Sequence, residues 1–409
     1  MNLKTILTTG QNEITLLGVC PMTDEIVKAA ILEARDTGFI PMFIATPRQV
    51  DGPRGYTGWS QEELIDFIET TADAVSYEGD YLVARDHGGP YQSFRDRDKS
   101  EIPLSTAIDY ALELYQEDLR AGFDVLHVDA TEDPRSEGVL ALEEIVRRTT
   151  DLISSIEEFR VKQGLSKVFY EVGTEEIVGG MTDPESFQSF IELLEDELKD
   201  LKHDVFEDSL VFVVGQVGTT MNLNMENQFD YQQAEQLIDI ASDYELFLKV
   251  HYTDWLSNST LEKFPNIGIG AANVGPEFAT ASIRALIELE RKEKEALAKL
   301  GKKEEKSNFF EKLEAAAVEG APWAKFAPDD LQKEDLDEYG KANRENIALS
   351  VGRYVLNEPA VERARKNLYG NLQEYANIDN IEQILVKKIR TSIHRYIKAF
   401  DLISLQNRW

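Results

Sequence analysis

The stretch that decides the fold is Tyr81-Leu82-Val83-Ala84-Arg85-Asp86-His87-Gly88-Gly89-Pro90. Tyr81 to Ala84 reads as a buried strand. It runs into a carboxylate and an imidazole, and a glycine turn follows. On a parallel α/β sheet, chemistry sits where strands end and loops begin. A strand closing on Asp86-His87 therefore predicts a site at the C-terminal edge of a sheet.

Similar apolar runs recur on both sides of this one. Strands are predicted at 14–20, 39–45, 81–85, 124–129, 167–172, 210–215, 245–251 and 266–272. Helical patterns separate them. Thr23-Asp24 precedes Ile26, Ala29, Ala30 and Leu32 at helical spacing, and Gly38 closes that segment. Ser60 with Glu63 forms a capping-box pattern, and Thr182-Asp183-Pro184-Glu185 opens a later helix. Parallel strands need helical crossovers, so this alternation predicts a parallel sheet. Eight units in about 290 residues predict an α/β fold of the closed (β/α)8 TIM-barrel type.

The character changes after residue 290. Arg291-Lys292-Glu293-Lys294-Glu295 and Lys302-Lys303-Glu304-Glu305-Lys306 read as a solvated, mixed-charge face. Further on, Ile381, Ile384, Leu385, Ile389, Ile393, Tyr396 and Phe400 recur at helical spacing. The expected division is a barrel over 1–290 and a charged linker with a helical C-terminal extension over 291–409. The extension would cover the barrel or build a contact in a homo-oligomer.

Composition narrows the function. The chain has 409 residues, 42% of them hydrophobic, so a sizeable core is available. No apolar run reaches the ~18 residues of a membrane span. Met1-Asn2-Leu3-Lys4 lacks a signal-peptide core, and Cys20 is the single cysteine, so a cytoplasmic location without disulfides is expected. A net charge of −32 repels nucleic acid and anionic lipid and argues against both as partners. A small anionic substrate remains compatible, because local arginines and N–H groups outweigh distant charge.

Five histidines occur, and three of them, His87, His127 and His251, fall at predicted strand ends. Each has a carboxylate beside it: Asp86, Asp129 and Asp254. Glu171 and Glu175 join from the fifth strand and its loop. One histidine at a strand end is usually structural, but three with carboxylates at a common mouth suit a divalent metal. Imidazole ligands favour zinc or manganese over magnesium. His203 and His394 read as structural. Asn273-Val274-Gly275-Pro276 begins a helix, and its N–H groups could hold a phosphate. Gly55-Tyr56-Thr57-Gly58 is a substrate loop or a simple turn. No P-loop or other nucleotide motif is present, so no nucleotide is expected.

These motifs occur together in a recognisable order. Gly55-Tyr56-Thr57-Gly58, Asp86-His87 with Pro90, Ala121-Gly122-Phe123, His127 with Asp129-Ala130, Gly173-Thr174-Glu175, Gln216 with Gly218, His251 with Thr253-Asp254, and Val274-Gly275-Pro276 resemble the GatZ/KbaZ family. Arg353-Tyr354 and Asn371-Leu372 extend the likeness into the tail. That family comprises accessory subunits of class II D-tagatose-1,6-bisphosphate aldolase, and some relatives act alone as ketose or ketose-phosphate 4-epimerases. The resemblance implies a barrel related to zinc-dependent class II aldolases and a ketohexose or ketohexose-phosphate substrate. It implies His87 and His251 as metal ligands, with Glu175, Asp129 or water as a third, and Asp86, Asp129, Glu175 and Glu176 as catalytic groups. His127, Gln216, Asp254, Asn273 and Gly275 would contact substrate or phosphate. Two departures stand out. The aldolases carry a metal histidine at the eighth strand, where this chain has none. The family also tends to a histidine in the first strand's loop, where this chain has Thr23-Asp24.

Two functions follow. One is a metal-dependent 4-epimerase or aldolase working through the C3–C4 bond. The other is a non-catalytic partner that stabilises a separate class II aldolase subunit.

Overall fold

The computed structural model describes residues 3–97, 99–136, 138, 140–173, 181–199, 201, 205–328 and 331–408. Eight strands form it: β1 Leu16–Val19, β2 Met42–Ala45, β3 Leu82–Gly88, β4 Val125–Val128, β5 Phe169–Gly173, β6 Leu210–Val214, β7 Phe247–Val250 and β8 Ala271–Val274. They close in sequence order into a parallel barrel, with β8 returning to pair with β1. Both faces of the strands are covered, one by the barrel interior and one by helices. This is why they read as continuous apolar runs rather than alternating ones.

Local chemistry sets the connecting helices. Ser60 caps Gln61–Ala74 through a reciprocal capping box with Glu63. Gly38 ends Asp24–Thr37 at φ 71, a conformation that glycine takes without a Cβ penalty. The eighth strand is shifted from its predicted place at 266–272. Residues Phe264–Ile267 form a short helix with proline in its first turn, and Gly268 terminates it at φ 93. The strand therefore starts at Ala271, and Asn273 lies within it rather than after it.

The helix Pro276–Lys299 runs unbroken past residue 290. Beyond it, Phe309–Gly320, Arg344–Val351 and Pro359–Ala376 gather around Ile283, Leu286, Leu313, Val351 and Leu368 in a second apolar cluster. The last helix, Ile381–Ala399, returns to the barrel. Its Val386, Ile389, Ile393 and Tyr396 join the main core. The chain end is then tied down by Ser404 N–H to Thr37 O and Gln406 N–H to Gly38 O. No helix among the described residues is long and apolar enough to cross a membrane.

Candidate metal centre and active site

The end of β3 is irregular. Its pairing with β4 shifts register between Arg85 and Gly88, and His87 adopts φ 49. Side chains alternate along a regular strand, so Asp86 and His87 would face opposite ways. The bulge turns both toward the mouth. Arg85 faces away from it. Its guanidinium makes a two-point pair with Asp118, Nη2 to Oδ1 at 2.5 Å and Nε to Oδ2 at 2.8 Å, both residues fully buried. Nη1 donates to Ala45 O and Val50 O, tying β3 to the end of β2. The glycine turn is tightly constrained: a Cβ on Gly89 would lie 1.8 Å from Asp129 O.

Four side chains converge inside this mouth. Asp86 from β3, His127 from β4, Glu171 from β5 and His251 after β7 each offer a ligand atom, all within 4.8 Å of one another. His251 Nε2 lies 3.0 Å from Glu171 Oε1 and 3.6 Å from Asp86 Oδ1. His127 Nδ1 lies 3.5 Å from Glu171 Oε1 and 3.9 Å from Asp86 Oδ1. Donors on ~2.1 Å bonds around a tetrahedral ion stand roughly 3.4 Å apart, so this spacing fits a shared cation. Two further polar atoms nearby lack partners. His127 Nε2 and Asn273 Oδ1 are buried without a hydrogen-bond partner, a state that costs free energy unless a ligand or water serves them.

His87 stands beside this group. Its ring centroid is 4.8 Å from that of His251 and 5.1 Å from that of His127. Its Nδ1 meets Asp129 Oδ2 at 2.9 Å, and its Nε2 lies 4.0 Å from Asp86 Oδ1. Asp129 also accepts from Gln92 Nε2 at 2.9 Å and from the Thr131 hydroxyl at 2.5 Å. Burial opposes its ionisation, but the His87 hydrogen bond, the neighbouring His87 and His127 imidazoles and Thr131 hold its carboxyl down at about 2. An ionised Asp129 accepts the Nδ1 proton of His87, which leaves Nε2 with its lone pair toward the mouth.

Glu171 is fully buried against Lys249 and the imidazoles of His127 and His251. Burial again opposes ionisation, yet Lys249, His127 and His251 hold its carboxyl at about 2. Asp86 is likewise buried, and His87, His251, His127 and Lys249 depress its carboxyl far below the ordinary range. The centre therefore brings ionised carboxylates and imidazole nitrogens into one buried cluster, the donor set of a divalent-cation site.

The other expected residues are distributed around this centre. Asn273 Nδ2 donates to Asp86 Oδ1 at 3.2 Å. Asp254 is buried, and its Oδ1 accepts from Gly275 N–H at 3.1 Å and Glu277 N–H at 2.6 Å. The helix start after β8 thus has its donors engaged by the chain's own carboxylate. Burial pushes Asp254 up to about 7, despite those two donors. Gln216 follows β6, its backbone N–H bonded to the Thr182 hydroxyl. Glu175 and Glu176 lie outside the described residues.

Glu171, a carboxylate that the sequence already places at the mouth, stands among the ligand atoms. The structure adds Lys249, two residues before His251 and so on the same strand face, which pairs with Glu171 at 2.5 Å. The signal for both was strand alternation: each is a charged residue at an inward position of an apolar run. Arg353, far along the chain, is buried near the mouth and had no local signal beyond its motif.

Comparisons with known proteins agree with this architecture. A D-tagatose 6-phosphate 4-epimerase of Agrobacterium fabrum is 27% identical over 292 residues, 67% of this chain and 66% of that protein. The matched stretch spans just under two thirds of the relative's length. A crystal structure described as a probable tagatose 6 phosphate kinase from Sinorhizobium meliloti superposes with a TM-score of 0.74 at 21% identity, covering 94% of this chain and all of the other. A fructose-bisphosphate aldolase from Campylobacter jejuni superposes with a TM-score of 0.56 at 11% identity, covering 98% and 93% of the two chains. At those identities the two structures speak for the fold alone. Residues 3–401 match the family described as D-tagatose-1,6-bisphosphate aldolase subunit GatZ/KbaZ-like, and the chain belongs to that family.

Proposed function

We propose that this chain is a metal-dependent ketohexose-phosphate 4-epimerase or aldolase-type enzyme. The observation that carries the reading is the convergence of Asp86, His127, Glu171 and His251 beside the His87–Asp129 pair. The likeness to a tagatose 6-phosphate 4-epimerase supports it. Those four side chains would hold the cation, with zinc preferred for two imidazoles and two carboxylates and manganese or magnesium as alternatives. When bound, a divalent cation supplies Lewis-acid polarisation of a ketose carbonyl.

The chain's own residues do the rest. Asp129 holds the His87 ring so that Nε2 faces substrate. Nε2 takes the proton of the C4 hydroxyl as the C3–C4 bond breaks. The oxygen's electron pair forms the C4 aldehyde, and the bond's pair passes into C3 and the C2 carbonyl, giving an enediolate. Release of the aldehyde is an aldol cleavage. Turning the aldehyde over and re-forming C3–C4 inverts C4, and His87 returns its proton to the new hydroxyl. Gln216, Asp254, Asn273 and Gly275 would line the substrate's path, and Glu175 and Glu176 would supply a second acid or base from the loop after β5. The buried walls of the mouth limit hydrolysis and proton loss.

The test is metal analysis of the purified protein, then NMR detection of epimers and cleavage products from fructose 6-phosphate and tagatose 6-phosphate. His127→Ala and His251→Ala should each lose the metal and the turnover. Full metal content with full activity in both variants would sink the reading. A second reading rests on the family's description as an aldolase subunit. A stable complex with a class II aldolase, with no turnover by the isolated chain, would favour it.

A further inference from the structure

Arg353 is a buried cation with no carboxylate in salt-bridge contact among the described residues. It lies in the short 3-10 turn Gly352–Val355 of the C-terminal segment and is 6% exposed. Nη1 donates to Ser350 O, and Nη2 meets the Tyr354 hydroxyl at 3.2 Å. Nε is buried with no hydrogen-bond partner, and the nearest carboxyl to act on the guanidinium, Asp254, does so without a direct contact. Arginine stays protonated in any protein environment. Burying such a charge without a direct counter-ion is costly, so the site is built as if an anion completes it.

The surroundings place it at the mouth. The guanidinium lies 4.4 Å from the Tyr354 ring centroid, and that ring meets Tyr56 edge-on at 5.0 Å. Tyr56 belongs to the loop after β2, and its hydroxyl is a second buried polar atom without a hydrogen-bond partner. Asn357 Nδ2 ties the two segments together by donating to Tyr56 O at 3.0 Å. The guanidinium of Arg48, from the same loop, lies 5.7 Å from the Tyr354 ring centroid and 5.1 Å from that of Phe94. The Arg353 charge also reaches Asp254, after β7, and Cys20, after β1. Cys20 in turn touches the Gly275 position at the end of β8. The nearby helix N-terminus is closed to an outside anion by Asp254, whose carboxylate takes the N–H groups of Gly275 and Glu277.

We propose that Arg353 and Tyr56 form an anion subsite that binds the phosphate of a phosphorylated ketose. The C-terminal segment, rather than the helix start after β8, then supplies selectivity for the charged end of the substrate. The planar fork of Arg353 suits two phosphate oxygens, and the Tyr56 hydroxyl donates to a third. Tyr354 orients the guanidinium through its ring and hydroxyl. In a chain of net charge −32, a buried cation at the mouth is what allows an anionic substrate to dwell there. This inference rests on the ketose-phosphate reading above and names the group that would select for phosphate.

The test compares wild type with Arg353→Gln, Arg353→Lys and Tyr56→Phe. Calorimetric titration with inorganic phosphate and with fructose 6-phosphate reads binding, and kinetics on fructose 6-phosphate and fructose read selectivity. Arg353→Gln should weaken phosphate binding at least tenfold and raise KM for fructose 6-phosphate by a similar factor. It should lower kcat/KM for fructose 6-phosphate by more than it lowers kcat/KM for fructose. Arg353→Lys keeps the buried charge, and with it the fold, but loses the fork and should weaken phosphate binding about tenfold. Tyr56→Phe should weaken it a few-fold. If Arg353→Gln fails to fold, the Lys and Phe variants decide. Wild-type phosphate affinity in the folded variants, or no phosphate binding by wild type, overturns the proposal. Phosphate binding that depends on Arg353 in a protein that turns over no ketose would sustain the subsite and defeat the enzymatic reading. Turnover of sugar phosphates indifferent to Arg353 would do the reverse.

Discussion

Lys249 Nζ and Glu171 Oε2 meet at 2.5 Å across the barrel interior, both fully buried, one strand intervening between their own. The same carboxylate presents its other oxygen to His251 Nε2 at 3.0 Å. Glu171 is thus held ionised from one side and offered to the candidate metal centre from the other. Replacing Lys249 with Met should leave an uncompensated buried carboxylate. Breaking such a pair costs about 3–5 kcal/mol. Denaturant unfolding should show that loss, and metal stoichiometry should fall with it. A Lys249→Met protein with unchanged stability and metal content would separate Lys249 from the site.

Asp129 sets the tautomer of His87. Asp129→Asn keeps the shape, but the amide can donate to Nδ1, which moves the imidazole proton to Nε2 and removes the base. Turnover should fall by about 10²–10⁴, the usual share of general acid–base catalysis. Metal content should hold, because Asp129 is not among the four converging ligands. Equal loss of metal and activity would instead make the His87–Asp129 pair part of the metal site.

Gly89 has φ 155, and the Cβ of an alanine there would overlap Asp129 O. Gly89→Ala should therefore destabilise the protein by at least about 2 kcal/mol, since backbone strain of this kind alone costs ~1–3 kcal/mol. It should also displace Asp129 and lower kcat. An alanine variant with wild-type thermal stability and rate would show that the turn at the end of β3 has slack.

Asp124 offers a pH test remote from the mouth. Burial pushes its carboxyl up to about 6, against the Val83 N–H that its Oδ2 accepts at 2.8 Å. A carboxyl whose folded pKa lies above its unfolded value binds its proton more tightly in the folded state. The contribution of Asp124 to stability is therefore most favourable below about pH 4, falls as pH rises toward 6, and is level above that. Asp124→Asn keeps an acceptor for Val83 and removes this term. The variant should gain up to about 3 kcal/mol over wild type at pH 8 and little at pH 4. A gain of equal size at both pH values would assign it to something other than ionisation.

Some of this was legible in the residues alone. Eight apolar runs separated by capped helical patterns were enough for the barrel, because strand burial and helix capping are local. Asp86, His87, His127 and His251 were marked by their place at strand ends, and in a closed barrel those ends share one mouth. Glu171 and Lys249 carried a weaker mark, since alternation tells that each points inward but not that they meet.

What the chain order determined by itself was the succession of elements and the side of the sheet on which polar groups collect. Only the tertiary structure decided which of those groups touch. The bulge that turns both Asp86 and His87 inward, the Glu171–Lys249 pair and the return of the helix Ile381–Ala399 to the main core depend on barrel closure and register. So does Arg353, brought beside Tyr56 from almost 300 residues away. Closure sums many weak contacts between distant segments, and no local stretch of sequence carries that sum.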